Sequence, residues 1–169
     1  KMFMNNLVLC KKSKKEKKIF IVNVSLDPRG SFNIISQTIE VLKENKGNYV
    51  YYVFCRTDKL LKYKSFNTKI VLIKLNIYQR FFFESSFLIN WSKKKNIIAD
   101  LIISSQNTSI NYFKNVPQII TFQQGLSLSE FNWNFFNKDQ RSAWFYKNFY
   151  FYFFLRYFRN NTTLIVPTK

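Results

Sequence analysis

The chain has 169 residues, with 27 Lys and Arg against 9 Asp and Glu, so its formal charge is +18. It contains no histidine, which excludes a Ser-His-Asp triad, a Cys-His pair and any zinc site with imidazole ligands. Two cysteines are too few for a disulfide framework, and 47% hydrophobic residues are too many for a disordered chain. The length suits one domain with a sizeable core.

The excess of positive charge has two interpretations. A basic chain favours nucleic acid or an anionic membrane surface as its partner. The same excess follows from a composition rich in Lys, Asn, Ile, Phe and Tyr, the residues that A/T-rich codons specify. The charge is densest in a short run that contains Lys11, Lys12, Lys14, Lys15, Lys17 and Lys18. Such runs are usually solvated, so we assign residues 1–17 to a basic extension that is flexible or pairs as an extra strand, and residues 18–169 to one domain.

The cysteines and the apolar runs indicate the compartment. Cys55 lies in an apolar run far from Cys10, which favours a buried free thiol in a reducing environment. The apolar stretch 7–10 is too short for a signal peptide and is followed by lysines. No apolar run approaches the roughly 18 residues of a transmembrane helix. We therefore predict a cytoplasmic protein, either free or bound peripherally at the inner face of the cell membrane.

The predicted elements alternate between strands and helices. The first strand, Ile19–Ser25, is apolar almost throughout, which is typical of a strand buried on both faces. A turn with Pro28 and Gly30 follows. Helical spacing of apolar residues then predicts a helix over residues 34–42. Further strands are predicted over Tyr49–Cys55, Lys69–Leu75, Asp100–Ser105, Gln118–Phe122 and Thr163–Val166. Helices are predicted over Tyr78–Lys95 and Asp139–Arg159, and a loop or one helical turn over Asp58–Lys64.

Apolar strands that alternate with helices predict a doubly wound α/β fold with a mainly parallel sheet. Right-handed crossovers place the carboxyl ends of the strands at one edge, where such sheets bind ligands. Four loops are predicted at this edge: Asp27–Ser31, Gln106–Ser109, Gln123–Gly125 and Pro167–Lys169. They share a content of amides and hydroxyls with few acids.

The first of these loops has features of a phosphate site. Gly30 precedes the predicted helix, whose N-terminus offers free backbone N–H groups and the positive end of its dipole. Arg29 adds a guanidinium group beside it, which can donate two parallel hydrogen bonds to a phosphate. The alternative is that Gly30 only permits the turn, because neither GxGxxG nor GxxxxGK[ST] is present.

Two amide pairs follow neighbouring predicted strands. They are Gln106-Asn107 and Gln123-Gln124. Amides donate and accept hydrogen bonds, which suits sugar hydroxyls, but they do not titrate and so cannot act as general acid or base. The alternative is that these amides cap the strand ends locally.

Carboxylate catalysis has little support in this chain. None of the nine acids forms a pair with the spacing of a glycosidase or a metal site. Asp27 is the only acid in a loop predicted at the ligand edge. We therefore expect no metal ion, and the chain alone contains no convincing catalytic apparatus.

The predicted helix Asp139–Arg159 is aromatic on nearly all sides. One interpretation is a core helix between the sheet and another layer. The other is an interfacial helix, because its aromatic residues are accompanied by Arg141, Lys147, Arg156 and Arg159, a composition that favours anionic headgroups. Aromatic platforms for nucleic acid fit less well, since these rings are contiguous in a helix rather than spaced across an exposed sheet.

Four segments, in this order, resemble the N-terminal half of family 4 (group 1) glycosyltransferases of the bacterial surface-polysaccharide type. The first is IVNVSL at Ile21–Leu26, followed by Arg29-Gly30. DLIISSQNT at Asp100–Thr108 is similar to the family's DLIISLQNT, and QIITFQQ at Gln118–Gln124 to its QIVYxHQ. The aromatic helix and LIVPTK at residues 164–169 resemble the elements that close that domain.

The resemblance implies a GT-B architecture, in which two Rossmann-like domains face each other across a cleft. This half mainly receives the acceptor, and its Gly loop lies near the donor diphosphate. The other half, which holds most nucleotide-sugar contacts, is missing, so we expect a fragment that cannot transfer sugar alone. Gln123 stands where the family has His, which leaves any role of that imidazole in doubt.

The resemblance assigns roles to individual residues. A retaining, metal-independent transferase would move a sugar from a nucleotide-sugar donor to a glycan or lipid-linked acceptor. The donor-phosphate loop would be Arg29, Gly30 and Ser31, and the acceptor cleft Gln106, Asn107, Thr108, Gln123 and Gln124. An anionic membrane would be held by Lys11, Lys12, Lys14, Lys15, Arg156 and Arg159. The alternatives are a non-enzymatic basic module for nucleic acid or membrane, of which nucleic acid fits less well, and a stand-alone nucleotide-binding protein.

Overall fold

The structure, a computed structural model, describes residues 16–24, 28–44, 47–74, 79, 82–121, 130–150, 152 and 156–166. Its strands are β1 (Lys17–Asn23), β2 (Tyr49–Cys55), β3 (Thr68–Leu72), β4 (Leu101–Ser104), β5 (Gln118–Thr121) and β6 (Thr162–Ile165). Its α-helices are α1 (Pro28–Glu44), α2 (Leu88–Lys95) and α3 (Arg141–Phe145). A 3₁₀-helix spans Asp58–Tyr63, and π-helical turns span Phe83–Phe87, which leads into α2, and Tyr146–Tyr150, which follows α3.

The six strands form one parallel sheet in the order β3-β2-β1-β4-β5-β6. Helices flank this sheet, and the predicted doubly wound α/β class is therefore confirmed. The order is that of Rossmann-like sheets, in which the strand sequence reverses between β1 and β4. All six predicted strands are found within a few residues of their predicted positions.

Two helices differ from their predictions. α1 begins at Pro28, so the predicted turn belongs to the first turn of the helix. Proline suits that position because its fixed φ is helical and its missing N–H would have no partner there. The predicted helix Asp139–Arg159 is wrong at its end, since Arg156 and Tyr157 form a turn before β6.

The central strand β1 is buried on both faces, which explains its nearly continuous apolar sequence. On one face Phe20 and Val22 pack with Leu88 and the indole of Trp91, whose ring centroid lies 5.6 Å from that of Phe20. On the other face Ile19 and Ile21 belong to a second cluster with Ile35 and Ile39 of α1. Each fully buried side chain of this size stabilises the fold by about 1.5–3 kcal/mol, so these clusters fix which helix covers which face.

The hydroxyl of Tyr112 connects three parts of the core. It lies 2.7 Å from the hydroxyl of Ser92 in α2, and the backbone N–H of Ala99 donates to it over 3.1 Å. Burial raises the pKa of Tyr112 above its ordinary value, although these hydrogen bonds partly offset the shift. The phenol therefore stays protonated and holds α2 and the start of β4 against the loop that follows β4.

Replacing Tyr112 with phenylalanine leaves the buried N–H of Ala99 without this acceptor. We expect the Tyr112→Phe variant to lose about 1–3 kcal/mol of unfolding free energy, measured by urea denaturation. Tyr63→Phe is the matched control, because the Tyr63 hydroxyl donates to Glu40 at an exposed position. Its loss should stay below about 0.5 kcal/mol. Equal losses in both variants would contradict the role given to the Tyr112 hydroxyl.

Candidate ligand-binding edge of the sheet

The strand order reverses between β1 and β4, so the elements that follow these two strands lie on opposite faces of the sheet. α1 packs on one face, whereas the loop after β4 packs on the other, where Ile110 and Tyr112 join the cluster of Phe20. Parallel α/β sheets bind ligands at such a point because the two connections diverge there. The candidate site is therefore the edge formed by the end of β1, the end of β4 and the first turn of α1.

The side-chain amide of Gln106 joins the two strands at this edge. Its Oε1 accepts a hydrogen bond of 2.9 Å from the backbone N–H of Val24, the residue after β1. Its Nε2 donates to Oγ1 of Thr108 at 3.1 Å and to Oε1 of Glu84 at 3.3 Å. The hydroxyl of Thr108 in turn donates to the same Glu84 oxygen at 2.8 Å. We call these three side chains the Glu84–Gln106–Thr108 network.

The network lies inside the protein. Gln106 is 3% exposed, Thr108 2% and Glu84 8%. Gln106 caps the end of β1, a strand 82 residues away along the chain, rather than the end of its own strand β4. Its predicted contact with an acceptor stays a prediction.

The loop after β4 is held by its own hydrogen bonds. The N–H of Ser105 donates to the carbonyl of Val22 at 3.0 Å, and the hydroxyl of Ser104 donates to the carbonyl of Thr108 at 2.6 Å. Asn107 between them has φ of 59°, a left-handed conformation that Asn tolerates better than most residues, and it is buried. These contacts give the loop one defined conformation at the ligand edge.

Gln118 of β5 holds the rest of this loop. Its side-chain Oε1 accepts from the N–H of Ile110 at 3.1 Å, and its Nε2 donates to the carbonyl of the same residue at 2.6 Å. The amide therefore pairs with Ile110 as a backbone peptide group pairs with a neighbouring strand.

Glu84 is the residue of this edge that sequence reasoning missed. It lies in the predicted helix Tyr78–Lys95 rather than in a loop after a strand, so its position at the ligand edge was not expected. The available indication was its setting: it is the single acid in a stretch of aromatic and serine residues, Phe81–Phe87. An acid in such a run is typical of a carboxylate that is buried and hydrogen-bonded.

The structure describes the other predicted edge residues only in part. Arg29, Gly30 and Ser31 occupy the first turn of α1, where the backbone N–H groups have no partner within the helix. β5 ends at Thr121, while Gln123 and Gln124 lie outside the described residues. The predicted donor-phosphate and acceptor roles of these residues stay predictions.

The predicted membrane residues differ in their surroundings. Lys11, Lys12, Lys14 and Lys15 lie outside the described residues. The guanidinium of Arg159 is half-buried and donates to the carbonyl of Tyr112 at 2.9 Å and to Oδ1 of Asn111 at 3.0 Å. Arg156 is exposed, with its guanidinium 5.3 Å from the ring centroid of Tyr157. Arg159 thus connects the segment before β6 to the loop after β4, and Arg156 faces solvent.

A cleft of about 530 Å³ lies between the residues that follow β3 and those of α2 and the turns before it. Its lining is aromatic and basic, with no acid among the described residues: Lys74, Gln79, Phe82, Phe83, Ser86, Phe87, Asn90, Trp91 and Lys94. None of the predicted edge residues that the structure describes contributes to it.

We find no protein-family model, no curated protein and no solved structure that matches this chain significantly. Within the described part of the chain, no helix has the length and hydropathy needed to cross a bilayer. The same residues bring together no group of three or more acids and cysteines of the kind that holds a metal ion. The resemblance to glycosyltransferases therefore continues to depend on the four segments that carry it.

The contacts of the Glu84–Gln106–Thr108 network predict how substitutions at Gln106 and Glu84 change the unfolding free energy. The Gln106→Glu variant would place a second carboxyl group against Glu84, and we expect it to lose about 2–3 kcal/mol of unfolding free energy. Adding Glu84→Gln to that variant restores one amide and one carboxylate in contact and should recover at least half of the loss. Urea denaturation measures all variants, with Gln37→Glu on the exposed side of α1 as the control. A double variant no more stable than Gln106→Glu would contradict the contact.

The thiol of Cys55 gives a second test. It is free and buried, as predicted, and burial raises its pKa from 9.0 to about 11. A raised pKa lowers the fraction of reactive thiolate at pH 8. We therefore expect iodoacetamide to label native Cys55 at least roughly a hundredfold more slowly than the urea-unfolded chain. The measurement uses a Cys10→Ser background so that only Cys55 reports, and comparable rates in the two states would show that the thiol is accessible.

Proposed function

We propose that the chain is the acceptor-side domain of a retaining, metal-independent glycosyltransferase of GT-B architecture, which moves a sugar from a nucleotide-sugar donor to a glycan or lipid-linked acceptor. The proposal places it at the inner face of the membrane in bacterial surface-polysaccharide synthesis. The observation that carries the proposal is the switch point between β1 and β4, since α1 follows β1 there and the DLIISSQNT segment contains β4 and the start of the loop after it.

The first turn of α1 is the part of the edge that suits the donor phosphates. α1 is 17 residues long, so its dipole and its free N–H groups give its start a positive potential. Arg29 adds a permanent charge in the same turn, and Gly30 has no side chain to keep a phosphate away from the backbone. In the proposed function these residues contact the diphosphate, and the second domain supplies the remaining donor contacts.

The loop after β4 suits a supporting role in acceptor binding. The Glu84–Gln106–Thr108 network holds this loop to β1, so that a substrate meets a surface with a fixed shape. In the proposed function Gln123 and Gln124 line the acceptor cleft, and the amide of Gln123 bonds a hydroxyl where the resembling family has an imidazole. An amide does not take up a proton near neutral pH, so the transfer proceeds without general-base help from that position.

The second candidate is a non-enzymatic basic module for nucleic acid or a membrane. It is favoured by the charge of +18 and by the exposed cluster Lys93–Lys95 at the end of α2. Binding to nucleic acid that persists at about 200 mM salt with sequence preference would favour this candidate, whereas binding lost on adding salt is counterion release.

The proposed function is tested by assaying the complete gene product against a panel of nucleotide sugars. We expect hydrolysis or transfer with one donor, retention of anomeric configuration, and no loss of rate with a chelator. Arg29→Ala should weaken donor binding by roughly tenfold or more, since a charged hydrogen bond to phosphate contributes about 1.5–3 kcal/mol. Arg156→Ala is the control, because Arg156 is exposed in the turn before β6. A folded complete protein that consumes no donor would overturn the proposal.

A further inference from the structure

Six aromatic side chains of the connection between β5 and β6 form an exposed patch that we call the aromatic surface: Phe131, Phe135, Phe136, Trp144, Phe145 and Phe149. The five phenylalanines are between 42% and 87% exposed. None of the six belongs to either of the two core clusters of the sheet. The described rings of this aromatic surface therefore lie outside both core clusters, and its five phenylalanines are exposed.

The rings of the aromatic surface are in contact with one another. The ring centroid of Trp144 lies 4.7 Å from that of Phe135 and 5.6 Å from that of Phe149. Phe149 in turn stacks on Phe145 at 5.3 Å, and Phe135 contacts Phe136 at 5.8 Å. Five rings thus form one connected cluster rather than separate exposed residues, and contiguous apolar patches of this kind mark interaction sites.

Cationic side chains lie beside the rings. The Arg141 guanidinium is 5.3 Å from the ring centroid of Phe135, and its Nε donates to the carbonyl of the same residue at 3.2 Å. Lys147 Nζ donates to the carbonyl of Phe131 at 3.0 Å and to Oδ1 of Asn132 at 3.2 Å. These bonds attach the Phe131 segment to α3 and its π-helical turn, so the sixth ring belongs to the same unit as the other five.

Exposed aromatic rings with adjacent cations have the chemistry of the interface between a bilayer and water. Rings of this kind partition at the level of the headgroups, while Lys and Arg contact the phosphates. Charge decides between a membrane and a second copy of the chain. Two copies at +18 repel each other, whereas an anionic leaflet attracts the protein.

We propose that the aromatic surface docks on an anionic phospholipid bilayer, with its phenylalanine rings among the headgroups and Arg141 and Lys147 facing the lipid phosphates. The proposal deepens the proposed function and rests on the membrane location given there, but its test does not require sugar transfer. Arg159 takes no part in the contact, because both terminal nitrogens of its guanidinium donate to the loop after β4, whereas Arg141 donates through Nε and Lys147 through two of its three N–H groups.

The test is binding of the 169-residue chain to phosphatidylcholine vesicles with and without about one third phosphatidylglycerol, measured by co-sedimentation. We expect binding to the anionic vesicles and a roughly tenfold or greater loss in the Phe136→Ser variant, since burial of a phenylalanine contributes about 1.5–3 kcal/mol. Phe66→Ser is the matched control. Phe66 is 86% exposed against 87% for Phe136, and it has Lys69 5.6 Å from its ring centroid, but it lies by β3 at the opposite edge of the sheet.

Fluorescence gives a second readout that does not depend on sedimentation. We expect a blue shift of tryptophan emission on adding anionic vesicles, and a smaller shift in the Trp144→Phe variant, which keeps a ring at this position, because Trp133 beside Phe131 also reports.

Three outcomes would overturn the proposal. The first is no binding of the wild-type chain to anionic vesicles. The second is an equal loss of binding in Phe66→Ser and Phe136→Ser, which would mean that exposed apolar residues act without regard to place. The third is a dimer in sedimentation velocity that Phe136→Ser dissociates, which would assign the aromatic surface to a second copy of the chain. A complete gene product that binds vesicles but transfers no sugar would instead count against the proposed function alone.

Discussion

The hydrogen bond from the backbone of Val24 to the side chain of Gln106 lies where the sheet reverses its strand order, and the arrangement of the candidate edge depends on it. Beyond this point β1 and β4 diverge toward opposite faces, so no regular strand pairing can hold them together. The side-chain amide of Gln106 joins them instead, because its oxygen accepts from the N–H of Val24 and its nitrogen donates to Glu84. Buried amides and carboxylates are costly unless they are paired, so the same groups that close this gap also fix one conformation of the edge.

The strands could be predicted from the sequence because a strand that is buried on both faces has a nearly continuous apolar sequence, as β1 does. Their parallel arrangement followed from the alternation with helices and from the right-handed crossover. The partners of Gln106 could not be predicted, since Val24 and Glu84 are 82 and 22 residues away along the chain and no local pattern records such pairings. The start of α1 was missed for a local reason: Pro28 and Gly30 also occur together in turns, and proline suits the first helical position equally well.

The composition of the connection between β5 and β6 is compatible with two different structures. An aromatic helix can cover a sheet or face an interface, and its residue types are the same in both cases. In the described part of this connection, the rings of the aromatic surface contact one another and belong to neither core cluster. The end of this connection is tied to the loop after β4, through the N–H of Tyr157, which donates to the hydroxyl of Ser109 at 3.0 Å, and through Arg159. Hydrogen bonds therefore join the segment before β6 to the loop that follows β4.

The amide of Gln118 has a consequence for motion. Since it pairs with both the N–H and the carbonyl of Ile110, the loop after β4 is joined to β5 as closely as a further strand would be. Such a loop cannot swing as a hinge without breaking two buried hydrogen bonds, so it moves only with the sheet. In the proposed function, closure around the donor would therefore come from elements on the α1 side or from the second domain. The β4 side acts as the fixed wall against which they close.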